Sequence, residues 1–131
     1  MNRWIISIIL GVIISISATC TVYAVLHIEA VYVLHMEGSI GDYVGFSTDT
    51  DAIRFGTIPK GGLGTRNITI TNNRPYPLSG KIYVKGDIKD MINVPIKITV
   101  NPNSSIDIQY SMQANSSVGN YSGKSIIVLK K

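Results

Sequence analysis

The chain has 131 residues, 45% of them hydrophobic and 15% charged, with a net charge of +4 and one cysteine. That length holds one domain of ordinary size. A single cysteine excludes an internal disulfide framework and any thiolate metal cluster. The excess positive charge is spread along the sequence at Lys81, Lys85, Lys89, Lys97, Lys124, Lys130 and Lys131. It forms none of the stripes with interleaved aromatics that nucleic-acid binding uses, and a solvated sheet surface accounts for it.

The first element is the apolar run Trp4–Leu26, which contains no formal charge. As a helix rising 1.5 Å per residue it spans about 34 Å, enough to cross a hydrocarbon core of about 30 Å. Arg3 precedes it, and the first charges after it are Glu29, Glu37 and Asp42. Positive charge resists translocation, so the expectation is a cytoplasmic N-terminus and an extracytoplasmic body, single-pass in the cell membrane. The alternative is a cleaved secretory signal with Arg3 as its charged region and Val22-Tyr23-Ala24 as its cleavage site. Cys20 is a poor acyl anchor, because Ser17-Ala18-Thr19 lacks the large aliphatic residue that lipoprotein motifs carry three before the cysteine. Residues 1–28 are therefore read as the anchor or signal, and 29–131 as one β domain.

Beyond the anchor the periodicity changes from helix-like to two. Val31–Glu37 alternates, with Tyr32, Leu34 and Met36 on one face and Val33, His35 and Glu37 on the other. Gly38-Ser39-Ile40-Gly41-Asp42 reads as a turn. Strands are expected at Tyr43–Thr48 and Ala52–Ile58 around the Asp49-Thr50-Asp51 loop, and Pro59-Lys60-Gly61-Gly62 ends the second. Arg66–Asn72 is the clearest strand: Ile68 and Ile70 point inward, while Asn67, Thr69 and Thr71 point outward. Asn72–Pro77 is a loop, since Pro75 and Pro77 fix φ and remove donors. Further strands are expected at Lys81–Lys85, Ile96–Val100, Ile106–Gln113 and Ser125–Leu129, with turns at Asn101-Pro102-Asn103 and Ser116–Asn120. Asp87–Met91 fits either a short helical turn or an irregular edge. Short alternating strands without helix-length 3.6 periodicity predict an all-β antiparallel sandwich.

Phe55-Gly56-Thr57-Ile58-Pro59-Lys60-Gly61, followed by Arg66-Asn67-Ile68-Thr69-Ile70-Thr71-Asn72, resembles the opening of immunoglobulin-like domains of the ASH and CARDB kind. Those begin with a strand ending in an FGxVPxG turn and pass into an xxxVTLTN strand. Val118–Gly123 is similar to the GxYxG turn before the last strand of such prokaryotic surface modules. The likeness covers roughly Tyr43 to Leu129, about one such sandwich. It implies an Ig-like fold and an extracytoplasmic setting, and brings no catalytic residues. An anchor followed by one such domain also resembles small archaeal envelope proteins, the stator-type accessory proteins of the archaeal flagellum among them.

Candidate sites are few. Asn67, Asn103, Asn115 and Asn120 each open an Asn-x-Ser/Thr sequon, which carries meaning for an exported surface. Tyr76, between two prolines, is expected at a loop tip where an aromatic anchors a partner. Asp49 and Asp51, with Asp42, offer hard oxygens to Ca²⁺, but a site of six or more ligands needs more than this loop provides. His27 and His35 have no third His or Cys beside them, so they read as surface residues. No serine sits on a Gly-x-Ser-x-Gly elbow, and Glu29 and Glu37 are the only glutamates, so neither acyl transfer nor glycosidase chemistry is supported. Gly61-Gly62-Leu63-Gly64 lacks the Lys-Ser/Thr of a phosphate loop. The expectation is a non-enzymatic protein without cofactor or metal, acting in binding or scaffolding at the cell envelope. Its partners would be the lipid bilayer and a protein of an envelope layer, appendage or membrane complex, with self-association open. Two alternatives stand beside it. One is a secreted subunit that polymerises by strand exchange. The other is a single-helix accessory subunit whose Ser7, Gly11, Ser15 and Ala18 allow close helix approach.

Overall fold

The computed structural model describes residues 2–42 and 52–131. The expected strand over 43–48 and the Asp49-Thr50-Asp51 loop lie outside the described residues. The chain begins with one helix, α1 (Arg3–Leu26), none of whose residues is buried. Its mean hydropathy reaches 2.4, and it is long and apolar enough to span a membrane. The hydroxyls of Ser7, Thr19 and Thr21 donate to the carbonyls of Arg3, Ser15 and Ser17, four residues back. Each side chain thereby satisfies its own polar group inside the helix, as an apolar surrounding requires.

Among the described residues eight strands follow: β1 (Ile28–Ile40), β2 (Ala52–Ile58), β3 (Leu63–Asn72), β4 (Leu78–Gly86), β5 (Ile92–Asn93), β6 (Lys97–Val100), β7 (Ser104–Gln113) and β8 (Gly119–Lys130). They form a five-stranded sheet in the order β2-β1-β8-β4-β6 and a three-stranded sheet in the order β3-β7-β5. Ile82, Ile127, Met36 and Phe55 of the larger sheet bury against Ile70, Ile108 and Met112 of the smaller. Alternating burial such as that of β8, where Ser125, Ile127 and Leu129 face in, gives each strand one dry face.

The antiparallel expectation needs one correction: β1 and β2 run parallel, with Met36 opposite Ile53 and Ile40 opposite Ile58. Side-chain alternation reports which face a residue takes and is blind to strand direction. The Val118–Gly123 segment also differs from the expected turn, because β8 already starts at Gly119. Between Asp87 and Met91 the chain makes a 3-10 turn at Lys89–Met91 that drives Ile88 and Met91 into the core. Gly86 (φ +102°) faces Gly123 there, and a methyl group on Gly123 would meet the Lys85 carbonyl and lie 2.7 Å from Ile88 Cγ2. Only at glycine can the two strands close over Ile88.

The sheets are also tied by polar groups. Tyr110 Oη of β7 and Ser125 Oγ of β8 lie 2.8 Å apart with both residues fully buried. Burial holds the Tyr110 phenol above its ordinary value, and the Ser125 hydrogen bond acts in the opposite sense. Asn72, 1% exposed, donates to the carbonyls of Tyr76, Val100 and Asn101 and accepts from the Arg74 amide. It clamps the 73–77 loop to the β6–β7 turn.

Candidate binding surface

One residue, His27, separates α1 from β1, so the β domain starts where the helix stops. His27 Nδ1 lies 2.9 Å from the Tyr23 carbonyl, and its own carbonyl accepts the Lys131 amide at 3.2 Å. Around this joint Glu29 gathers the 73–77 loop. Its Oε1 accepts from Tyr76 Oη at 2.8 Å, and its Oε2 lies 3.4 Å from Arg74 Nη2. Lys131 Nζ stacks 4.5 Å above the Tyr76 ring. The hydrogen bond to Glu29 is the first cause that raises the Tyr76 phenol above its ordinary value, since losing the proton would set two anions together. Tyr76 is thus half-buried against the core and engaged on three sides, rather than held out at a loop tip.

The outer face of the larger sheet is built differently. Register sets its side chains in rows across the strands, and the row nearest α1 has Lys130 beside Ser79 and Ser79 beside Thr99. The next runs Val31, Val128, Lys81, Lys97, followed by Val33, Ile126, Tyr83. The fourth runs Ala52, His35, Lys124, Lys85. Five of the eight lysines therefore share one face, although the sequence scatters them. Two pairs, Lys81 with Lys97 and Lys85 with Lys124, sit directly opposite one another. Like charges in that position destabilise a sheet. None of the five is ion-paired with a described residue; the ion pairs described are Arg54–Glu37 and Arg74–Glu29.

Between the lysines the face is apolar, with Val31, Val33 and Tyr83 exposed by 52%, 54% and 47%. A groove of about 440 Å³ opens at its α1 end, walled by Ile28, Tyr83 and Val128 and rimmed by Lys81, Lys97 and Lys130. A shallower hollow of about 330 Å³ lies farther out, between Lys85, Lys124, His35 and Asp87. Such a surface presents ammonium groups around an apolar floor. It suits an anionic ligand with an apolar part.

All four sequon asparagines are exposed. Asn67 lies on the outer face of β3, Asn103 in the β6–β7 turn with its amide on the Arg74 carbonyl, and Asn115 and Asn120 at the opposite end. Asn120 Oδ1 accepts from Ser39 Oγ at 2.7 Å. Cys20 is exposed on α1. Among the described residues no three His, Cys, Asp or Glu side chains come together as a metal site.

The class defined by these elements is a two-sheet β domain joined without a linker to one apolar helix of membrane-spanning length. No protein-family model matches the chain, and no curated protein or solved structure does.

Proposed function

We propose that the chain is a non-enzymatic, single-pass membrane protein. In this reading α1 crosses the bilayer with its N-terminus in the cytoplasm and presents one Ig-like sandwich outside. The sandwich binds or scaffolds a partner of the envelope, an appendage base or a membrane complex. The observation that carries the proposal is α1 itself: a 24-residue helix with no buried residue, joined to the β domain through His27 alone. In water it would expose far more contiguous apolar surface than a soluble monomer shows. Trp4 and Tyr23, exposed by 83% and 65%, mark its two ends. Nineteen residues apart, they lie about 29 Å from each other along the helix, close to the hydrocarbon thickness, and aromatics of this kind favour the two interfaces.

The test is fractionation of expressing cells with alkaline carbonate, followed by protease treatment of intact cells and glycan mapping at Asn67, Asn103, Asn115 and Asn120. The proposal expects a carbonate-resistant chain whose β domain is cut from outside. Carbonate-soluble chain, or a β domain shielded until cells are opened, refutes it.

The cleaved-signal reading has one observation in its favour. Cutting after Ala24 would leave β1 whole, because β1 begins at Ile28. Strand exchange through β1 is harder to support, since β1 is registered with β8 at twelve positions from Ile28 to Ile40. Mass spectrometry of the mature N-terminus separates the two, and a start at Val25 would remove the anchor.

A further inference from the structure

We infer that the groove at the α1 end of the larger sheet's outer face binds the headgroup of an anionic lipid from the bilayer that α1 crosses. The inference rests on the anchored reading and adds the partner of one defined surface. It starts from charge. Lys81, Lys97 and Lys130 rim the groove, Lys81 and Lys97 are cross-strand neighbours, and none has an acidic partner among the described residues. A phosphate set between them replaces a like-charge contact with charge-assisted hydrogen bonds. The floor supplies the second half of the match at its bilayer end, where Ile28 offers an apolar wall to the glycerol and uppermost acyl carbons, while Val128 and Tyr83 stand one and two rows farther out.

Distance from the bilayer makes the lipid the occupant. With Tyr23 at the interface, His27 stands about 6 Å farther along the helix, within a headgroup layer about 5–8 Å deep. Ile28 opens β1 at the next residue, paired with Lys130, and Ser79 is paired with Lys130 in turn. Lys81 and Lys97 stand one row higher, about 7 Å along the strands, a gap that a lysine side chain closes. The second lysine pair, Lys85 with Lys124, lies about 13 Å beyond that row and provides an internal control.

The experiment incorporates the full chain in lipid nanodiscs of phosphatidylcholine alone, or of phosphatidylcholine mixed with phosphatidylglycerol. Lysine acetylation rates are read by peptide mass spectrometry. A third arm adds inorganic phosphate to the phosphatidylcholine discs. The expected result is acetylation of Lys81, Lys97 and Lys130 about fivefold slower in the phosphatidylglycerol discs, with Lys85 and Lys124 unchanged and no effect of free phosphate. Native mass spectrometry of the solubilised chain should then show retained phosphatidylglycerol that is lost in the Lys81→Gln, Lys97→Gln, Lys130→Gln variant and kept in Lys85→Gln, Lys124→Gln. Equal rates in both discs, or equal slowing at all five lysines, overturns the groove and leaves the anchor standing. Protection in native membranes but not in lipid-only discs assigns the groove to a protein or glycan and overturns the lipid. A chain that does not enter discs overturns both readings together.

Discussion

Replacing Tyr110 with Phe removes one hydroxyl from the interior and leaves another without a partner. Ser125 Oγ is fully buried, and Tyr110 Oη at 2.8 Å is its partner. An orphaned buried hydroxyl costs about 1–3 kcal/mol, so Tyr110→Phe should lower stability by about 2 kcal/mol. Ser125→Ala orphans the phenol and should cost a similar amount. In the double variant no polar atom is stranded, so its loss should stay near that of one single variant, giving a coupling of about 1–2 kcal/mol. For a β domain of about 100 residues, each kcal/mol moves the midpoint by about 4–8 °C. Thermal melts of the full chain in detergent, followed by near-ultraviolet circular dichroism, measure all four corners. A double variant as unstable as the two single losses added would refute the reasoning. The same residue sets an alkaline limb. The phenol is held above its ordinary value of 10.0, chiefly by burial, so the folded state keeps its proton longer than the unfolded one. That stability is whole below pH 10 and drains as pH rises through the folded value, and Tyr110→Phe should flatten this decline.

Asn72→Leu removes the donor to three carbonyls and the acceptor of the Arg74 amide, and should cost about 2–3 kcal/mol, read as a lower urea midpoint with unchanged slope. Gly123→Ala sets a methyl group against the Lys85 carbonyl and Ile88, and should cost about 1–3 kcal/mol by the same assay, whereas Gly119→Ala, whose methyl group would meet only the Tyr121 ring at 3.9 Å, should be near neutral. Ile13→Lys places a charge in the middle of α1 at about 3 kcal/mol of insertion free energy, and should shift chain into the carbonate-soluble fraction. Glu29→Gln removes the anion that Tyr76 and Arg74 share, and should speed amide exchange in the 73–77 loop while leaving Ile82 and Ile127 protected.

Much of the fold is legible in the residue pattern, because each strand reports its own dry face. Ala52–Ile58 matches β2 residue for residue, and the outward placement of Asn67 follows from the inward Ile68 and Ile70. What the pattern omits is pairing. β5 is two residues long, too short for any period, and the parallel direction of β2 has no signature in alternation. The lysine face shows the same divide. Lys81 and Lys85 have outward parity beside Ile82, as do Lys97 beside Ile98 and Lys124 and Lys130 beside Ile127 and Leu129. Each residue's face was therefore readable. That β6, β4 and β8 lie side by side, turning residues 81, 97, 124 and 130 into neighbours, depends on contacts distant in sequence. Tyr76 differs for a local reason: its prolines signal a loop, but the carboxylate that draws the loop back is Glu29, 47 positions away.

The direct passage from helix to strand also decides how the molecule carries mechanical load. A tug on the far tip of the domain reaches α1 by way of β1, pulled lengthwise against β8. Tension along a ladder is shared by all its rungs at once, whereas a peeling force breaks them one by one. The β1–β8 ladder therefore resists a lengthwise pull better than a peeling one.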